Sequence, residues 1–132
     1  MKVKIEFVTY EQALALKELG FDEPCLATIN NYDWLHIKGT RRGAGGAVCT
    51  IDVPAPSKSQ IFRWFREKHE IEATIACYYS KILGISYEER QYHCHIVRDG
   101  ITTKGPNFKT YEEAESACID KLIEIVKNNL DK

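Results

Sequence analysis

Nothing in this chain is apolar for long enough to cross a bilayer, which takes about 20 residues, and no segment is of low complexity. A membrane span and a long interdomain linker are therefore not expected. Paired cysteines are missing too. Cys25, Cys49, Cys77, Cys94 and Cys118 stand singly, with no C-x-x-C between them, so a zinc ribbon is not expected. Charge of one sign is also absent. The 18 basic and 19 acidic side chains leave a net charge of −1. A protein that grips long nucleic acid carries a basic excess or stripe, so nucleic acid is not an expected partner. The opening "MKVKIEFVTYEQ" alternates apolar and charged residues, unlike a secretory leader. With an odd number of single cysteines, this points to reduced thiols and a cytoplasmic location.

What is present fits one domain over residues 1–132, a length that suits a single core. "KVKIEFV" places Val3, Ile5 and Phe7 at the spacing of a half-buried strand. Thr9 and Gln12 form a capping-box pair, which predicts a helix running to about Leu19 and ending at Gly20. "CLATINNYDWLHIKG" reads as a hairpin around the turn residues "NNYD", with Cys25, Ala27 and Ile29 on one face. Leu35 and Ile37 then point one way, and Trp34, His36 and Lys38 the other. Cys49, Ile51 and Val53 alternate in a third strand, and Pro54 and Pro56 are expected to stop strand pairing. Ser57 caps a helix over "KSQIFRWFREKH".

"IEATIACYYS" alternates again, "LGISYEER" reads as a connection, and "QYHCHIV" sets Tyr92, Cys94 and Ile96 opposite His93, His95 and Val97. "RDGITTKGPN" reads as a loop. A second capping box, Thr110 to Glu113, opens the last helix. Its stripe of Ala114, Cys118, Leu122 and Ile125, widened by Ile119, Ile123, Val126 and Leu130, implies docking on a sheet. The order β-α-β-β-β-α-β-β-α predicts an α+β fold, with three helices and a mostly antiparallel sheet of five to six strands. The cysteines share the parity of the apolar residues and are expected to be buried.

That parity leaves Trp34, His36, Thr74, Tyr78, His93 and His95 on the reverse of the sheet. Aromatic and imidazole groups there suit a binding platform, or a face shared between copies of the chain. The glycine-rich "GTRRGAGGAV", Gly39–Val48, offers Arg41 and Arg42 to an anion. It lacks the lysine and Ser/Thr of a phosphate-binding P-loop, and it leads into a strand rather than a helix, so it matches no nucleotide fingerprint. A solvated hairpin connection is the plainer account of it. His93 and His95, two apart on a strand, share a face and could act as acid and base or hold a metal with a third ligand from His36 or His69. The spacing matches no defined zinc motif, so neither a metal nor a cofactor is expected.

The segments "PAPSKSQIFRWFREKHEI" and "GPNFKTYEEAESACIDKLIEIVK" resemble those of small uncharacterised accessory proteins of Bacteroidetes and their phages and mobile elements. The likeness covers about the second two-thirds of the chain. It implies a small cytosolic accessory protein and supplies no active site. The combined expectation is a non-enzymatic protein that binds a host protein or a small phosphate-bearing ligand through Arg41, Arg42, Trp34, His36, Tyr78, His93 and His95, with an anti-defence role consistent with that setting. Two alternatives stand beside it. One is a small hydrolase or nuclease using His93, His95 and Asp99. The other is a nucleic-acid module, because helix, three strands, helix in the first half is the element order of a double-stranded RNA-binding domain.

Overall fold

The computed structural model describes residues 6–37 and 52–130. Of the expected first strand, only Phe7 and its neighbours fall within this range. Val3, Ile5, Cys49, Ile51 and the whole Gly39–Val48 loop with Arg41 and Arg42 lie outside it. The described chain runs α1 (Tyr10–Glu18), β1 (Ala27–Asn30), β2 (Leu35–Ile37), β3 (Asp52–Ala55), α2 (Lys58–His69), β4 (Glu72–Tyr78), β5 (Gln91–Arg98), β6 (Ile101–Lys104) and α3 (Tyr111–Leu130). It is an α+β fold with antiparallel strands. The six described strands do not form one sheet. They make two of three strands each, ordered β2-β1-β3 and β4-β5-β6.

Local chemistry sets the helices. Thr9 Oγ1 accepts the Gln12 N–H at 3.2 Å, and Gln12 Oε1 accepts the Thr9 N–H at 3.0 Å, which satisfies two donors that the first turn of α1 would leave bare. Gly20, at φ +97°, follows the C-cap Leu19 and turns the chain away. Ser57 caps α2 by accepting the Gln60 N–H at 3.1 Å. In α3, Thr110 Oγ1 accepts the Glu113 N–H and donates to the Glu113 carboxylate at 2.9 Å.

Packing then joins the parts. Ile61, Trp64 and Phe65 of α2 are buried, and so are Ala114, Cys118, Ile119, Leu122, Ile123 and Val126 of α3. Helix α1 packs on β3 and β1, and α3 packs on β5 and β4. Helix α2 lies against both α3 and β4. One apolar cluster runs through all of them, from Val8 and Leu16 to Ile96 and Leu122. Gln12 adds a polar lock. Its Nε2 donates to Ser116 O and Oγ, both at 3.1 Å, and to Asp120 Oδ1 at 2.9 Å. A single side chain thus caps α1 and ties it to the middle of α3.

Three expectations are corrected. Pro54 does not stop pairing, because β3 runs through it and pairs Thr28 with Pro54. The strand is an edge of its sheet among the described residues, and a proline is tolerated where no inward N–H is needed. Residues Ile101–Lys104, read as loop, form β6. Asp99 and Gly100, at φ +53° and +76°, supply the two-residue turn that joins β5 and β6 as a hairpin. Finally, Cys77 is exposed although Cys25, Cys94 and Cys118 are buried. It lies at the far end of β4, past the stretch where Ala73 and Ile75 join the core.

Candidate functional site

The outer face of the second sheet gathers three of the candidate residues. Register pairs Thr74 with His95, Ala76 with His93 and Tyr78 with Gln91 across β4 and β5, and His95 with Lys104 across β5 and β6. Side chains alternate along strands, so Thr74, Ala76, Tyr78, His93, His95 and Lys104 share one face. The two imidazoles meet there. Their Nε2 atoms are 2.8 Å apart and their ring centroids 4.7 Å. His95 is half-buried, whereas His93 is only 7% exposed, and its Nδ1 is buried with no hydrogen-bond partner. Burial first, then the neighbouring His95 and Lys104, hold the His93 pKa below its ordinary value of 6.5. His93 is therefore neutral at pH 7, and one ring of the pair donates its Nε2–H to the other.

The remaining candidates are elsewhere. Trp34 belongs to the β1–β2 turn and His36 to β2 of the first sheet. The turn is fixed by Asn30, whose Oδ1 accepts the N–H groups of Tyr32 at 2.9 Å and Trp34 at 3.0 Å. Asp33 adopts φ +61° and accepts the Tyr10 N–H at 3.0 Å. Trp34 is left 70% exposed. The expected single platform is thus divided between two sheets, because the same strand periodicity serves either of them. Asp99 sits in the β5–β6 turn, four residues along from His95, which places it about 13 Å away at strand rise. Its carboxylate pairs with Arg98 at 3.5 Å. The geometry brings no carboxylate partner to the histidines from that position. Lys58, at the start of α2, is buried and paired with Glu115 at 3.6 Å.

A feature that the sequence reading passed over lies at one end of the second sheet. The β4–β5 connection, read as a plain link, is an ordered knob. Ser80 and Ile85 pair across its base, and Gly84 turns at φ +76°. Ile82 and Leu83 stand out at its tip, 96% and 66% exposed. Tyr78, Tyr79 and Tyr87, at the two ends of the connection, are exposed as well. Tyr79 meets Tyr87 edge-on at 5.2 Å, and the Arg90 guanidinium lies 4.0 Å over the Tyr87 ring. Arg90 also donates to Tyr92 Oη at 2.8 Å and to Tyr87 O at 3.0 Å. The density of large apolar residues in "YYSKILGISY" was the available signal, since a solvated turn has no use for so many.

A separate groove of about 470 Å³ opens between β6 and α3, floored by Cys94, Ile96, Phe108 and Ala117. None of the described candidate residues lines it. Burial and the adjoining Cys94 raise the Cys118 thiol pKa strongly, so this thiol is a core group and not a nucleophile. No helix among the described residues is long and apolar enough to cross a membrane. No family model, curated protein or solved structure matches the chain.

Proposed function

We propose that this protein acts by binding, without chemistry of its own, and that it engages a host protein through the knob between β4 and β5. The observation that carries the reading is the exposure of Tyr78, Tyr79, Ile82, Leu83 and Tyr87 within one ten-residue span. Isolated exposed apolar residues are ordinary. Five within ten residues, on a segment held by cross-bridge, ring and guanidinium contacts, make a pre-ordered stretch of the residue types that carry interface energy, with Arg90 beside it. The resemblance of the α2 and α3 segments to accessory proteins of Bacteroidetes phages and mobile elements supports a host protein as the partner.

The test is a photo-crosslinking residue at position 81, introduced in the cell, with Ile82→Asp/Leu83→Asp as the contrast. The tip side chains take no part in the core, so the double variant should melt within about 0.5 kcal/mol of wild type. It should lose a discrete crosslinked adduct that wild type forms. An adduct that is a second copy of this chain would replace the host-protein reading with self-association. The same adduct in the variant, or none in wild type, would end the proposal.

A further inference from the structure

The histidine pair calls for a separate account. Two polar rings occupy the face of the second sheet, one of them buried. Among the described residues, neither ring bonds to anything but the other. A buried polar group that returns no hydrogen bond to the fold costs stability. An apolar pair, such as two valines, would fill the same strand positions without that cost. The arrangement therefore serves something other than packing.

Geometry indicates what. Both Nε2 atoms meet at hydrogen-bond distance from adjacent same-face positions of β5. Imidazole binds divalent metals at about 2.0–2.1 Å. With the nitrogens 2.8 Å apart, an ion held by both would see them at an angle of about 85–90°. A tetrahedral ion would need them about 3.3–3.4 Å apart at the same bond length. A right angle between them suits neighbouring positions of an octahedral or tetragonal ion. We propose that His93 and His95 form a two-imidazole chelate for a divalent transition metal of tetragonal preference, Ni²⁺ or Cu²⁺, with water in the remaining positions.

The surroundings set its character. Lys104 faces the pair from β6 and Thr74 and Ala76 face it from β4, while Glu72 lies further along the same face, opposite Val97. No set of three or more metal-ligating side chains gathers among the described residues. The site is thus poor in carboxylates, which disfavours the hard cations Ca²⁺ and Mg²⁺. With two protein ligands and a lysine nearby, it binds weakly and reversibly. Binding exchanges two of the ion's waters for two neutral imidazoles, and the proton that one Nε2 donated to the other moves to Nδ1 of its own ring.

The experiment is calorimetric titration of NiCl₂ into the untagged full chain. Wild type should bind one equivalent saturably. His93→Gln and His95→Gln should each weaken binding by about tenfold or more, while His36→Gln and Cys77→Ser leave it unchanged. Absence of saturable binding, wild-type affinity in either chelate variant, or loss confined to Cys77→Ser would overturn the assignment. Because His93 is buried, a variant there could fail to fold, so wild type carries a second readout. Paramagnetic Ni²⁺ should broaden the ring-proton resonances of His93 and His95 before those of His36 and His69. Broadening that begins at His36 or His69 would equally overturn it.

Discussion

The two sheets share an outline and differ in what they do with it. Each is a three-stranded antiparallel unit between two helices, and α2 serves both, closing the first half and opening the second. In the first, β1 sits in the middle and its side chains are nearly all buried. Its turn is pinned by Asn30 and Asp33, and the exposed aromatic Trp34 stands beside a polar network. In the second, the strands follow one another in order, and the outer face carries the histidine pair. The connection between its first two strands rises into the apolar knob. The first sheet invests its polar side chains in holding its own backbone. The second leaves imidazoles and apolar tips without a structural return among the described residues, and it is there that the proposed contacts lie.

Because α2 belongs to both halves, its core residue gives the largest test. Phe65 is fully buried beside Trp64 and His69. Phe65→Ala should cost about 3–5 kcal/mol, measured by chemical denaturation. Amide exchange in β1 and β5 should speed up together. Protection that survives in one sheet alone would show the halves to be independent, and the comparison would have to be redrawn. A smaller test addresses the seam. Gln12→Glu keeps the acceptor that caps α1 but replaces the donor aimed at Ser116 and Asp120 with a carboxylate oxygen. The loss should be about 1–3 kcal/mol. A variant as stable as wild type would mean that the first half is held to α3 by apolar packing alone.

The smallest effect is one of pH. His69 ends α2 with its ring 4.8 Å from Trp64 and its Nε2 buried without a partner. Burial first, and the charge of Lys68 second, keep its pKa below the ordinary 6.5. The unfolded chain then takes up a proton that the folded one resists. Its contribution to stability is complete above about pH 6.5 and is lost as pH falls through that value toward the folded pKa. His93 acts in the same direction from the second sheet. The melting temperature of wild type should fall between about pH 7.5 and 5.5, and His69→Gln should fall less. Equal slopes would place the whole effect outside α2.

What could be read from the residues alone followed the range of the interactions involved. Caps at Thr9, Ser57 and Thr110 depend on neighbours three positions away, and each stands where the pattern put it. The stripe of α3 is likewise local, and it faces a sheet as its width required. Strand β6 was not legible because Ile101-Thr102-Thr103-Lys104 has no alternation. It is a strand because β5 pairs with it and Asp99-Gly100 folds it back. The division into two sheets was hidden for a different reason. Period-two alternation states which residues share a face but not which strands lie side by side, so Trp34 and His36 seemed to join His93 and His95. The juxtaposition of the histidines was readable from their spacing. The burial of His93 was not.

The chain has two tryptophans, and the fold places them in opposite surroundings. Trp34 is open to water on its turn, while Trp64 is 4% exposed and enclosed by the rings of Phe21, Phe65 and His69. The molecule therefore carries two built-in fluorophores. Iodide will quench the outer one and spare the inner one, and a red shift of the spared emission will report the moment that α2 leaves the interior.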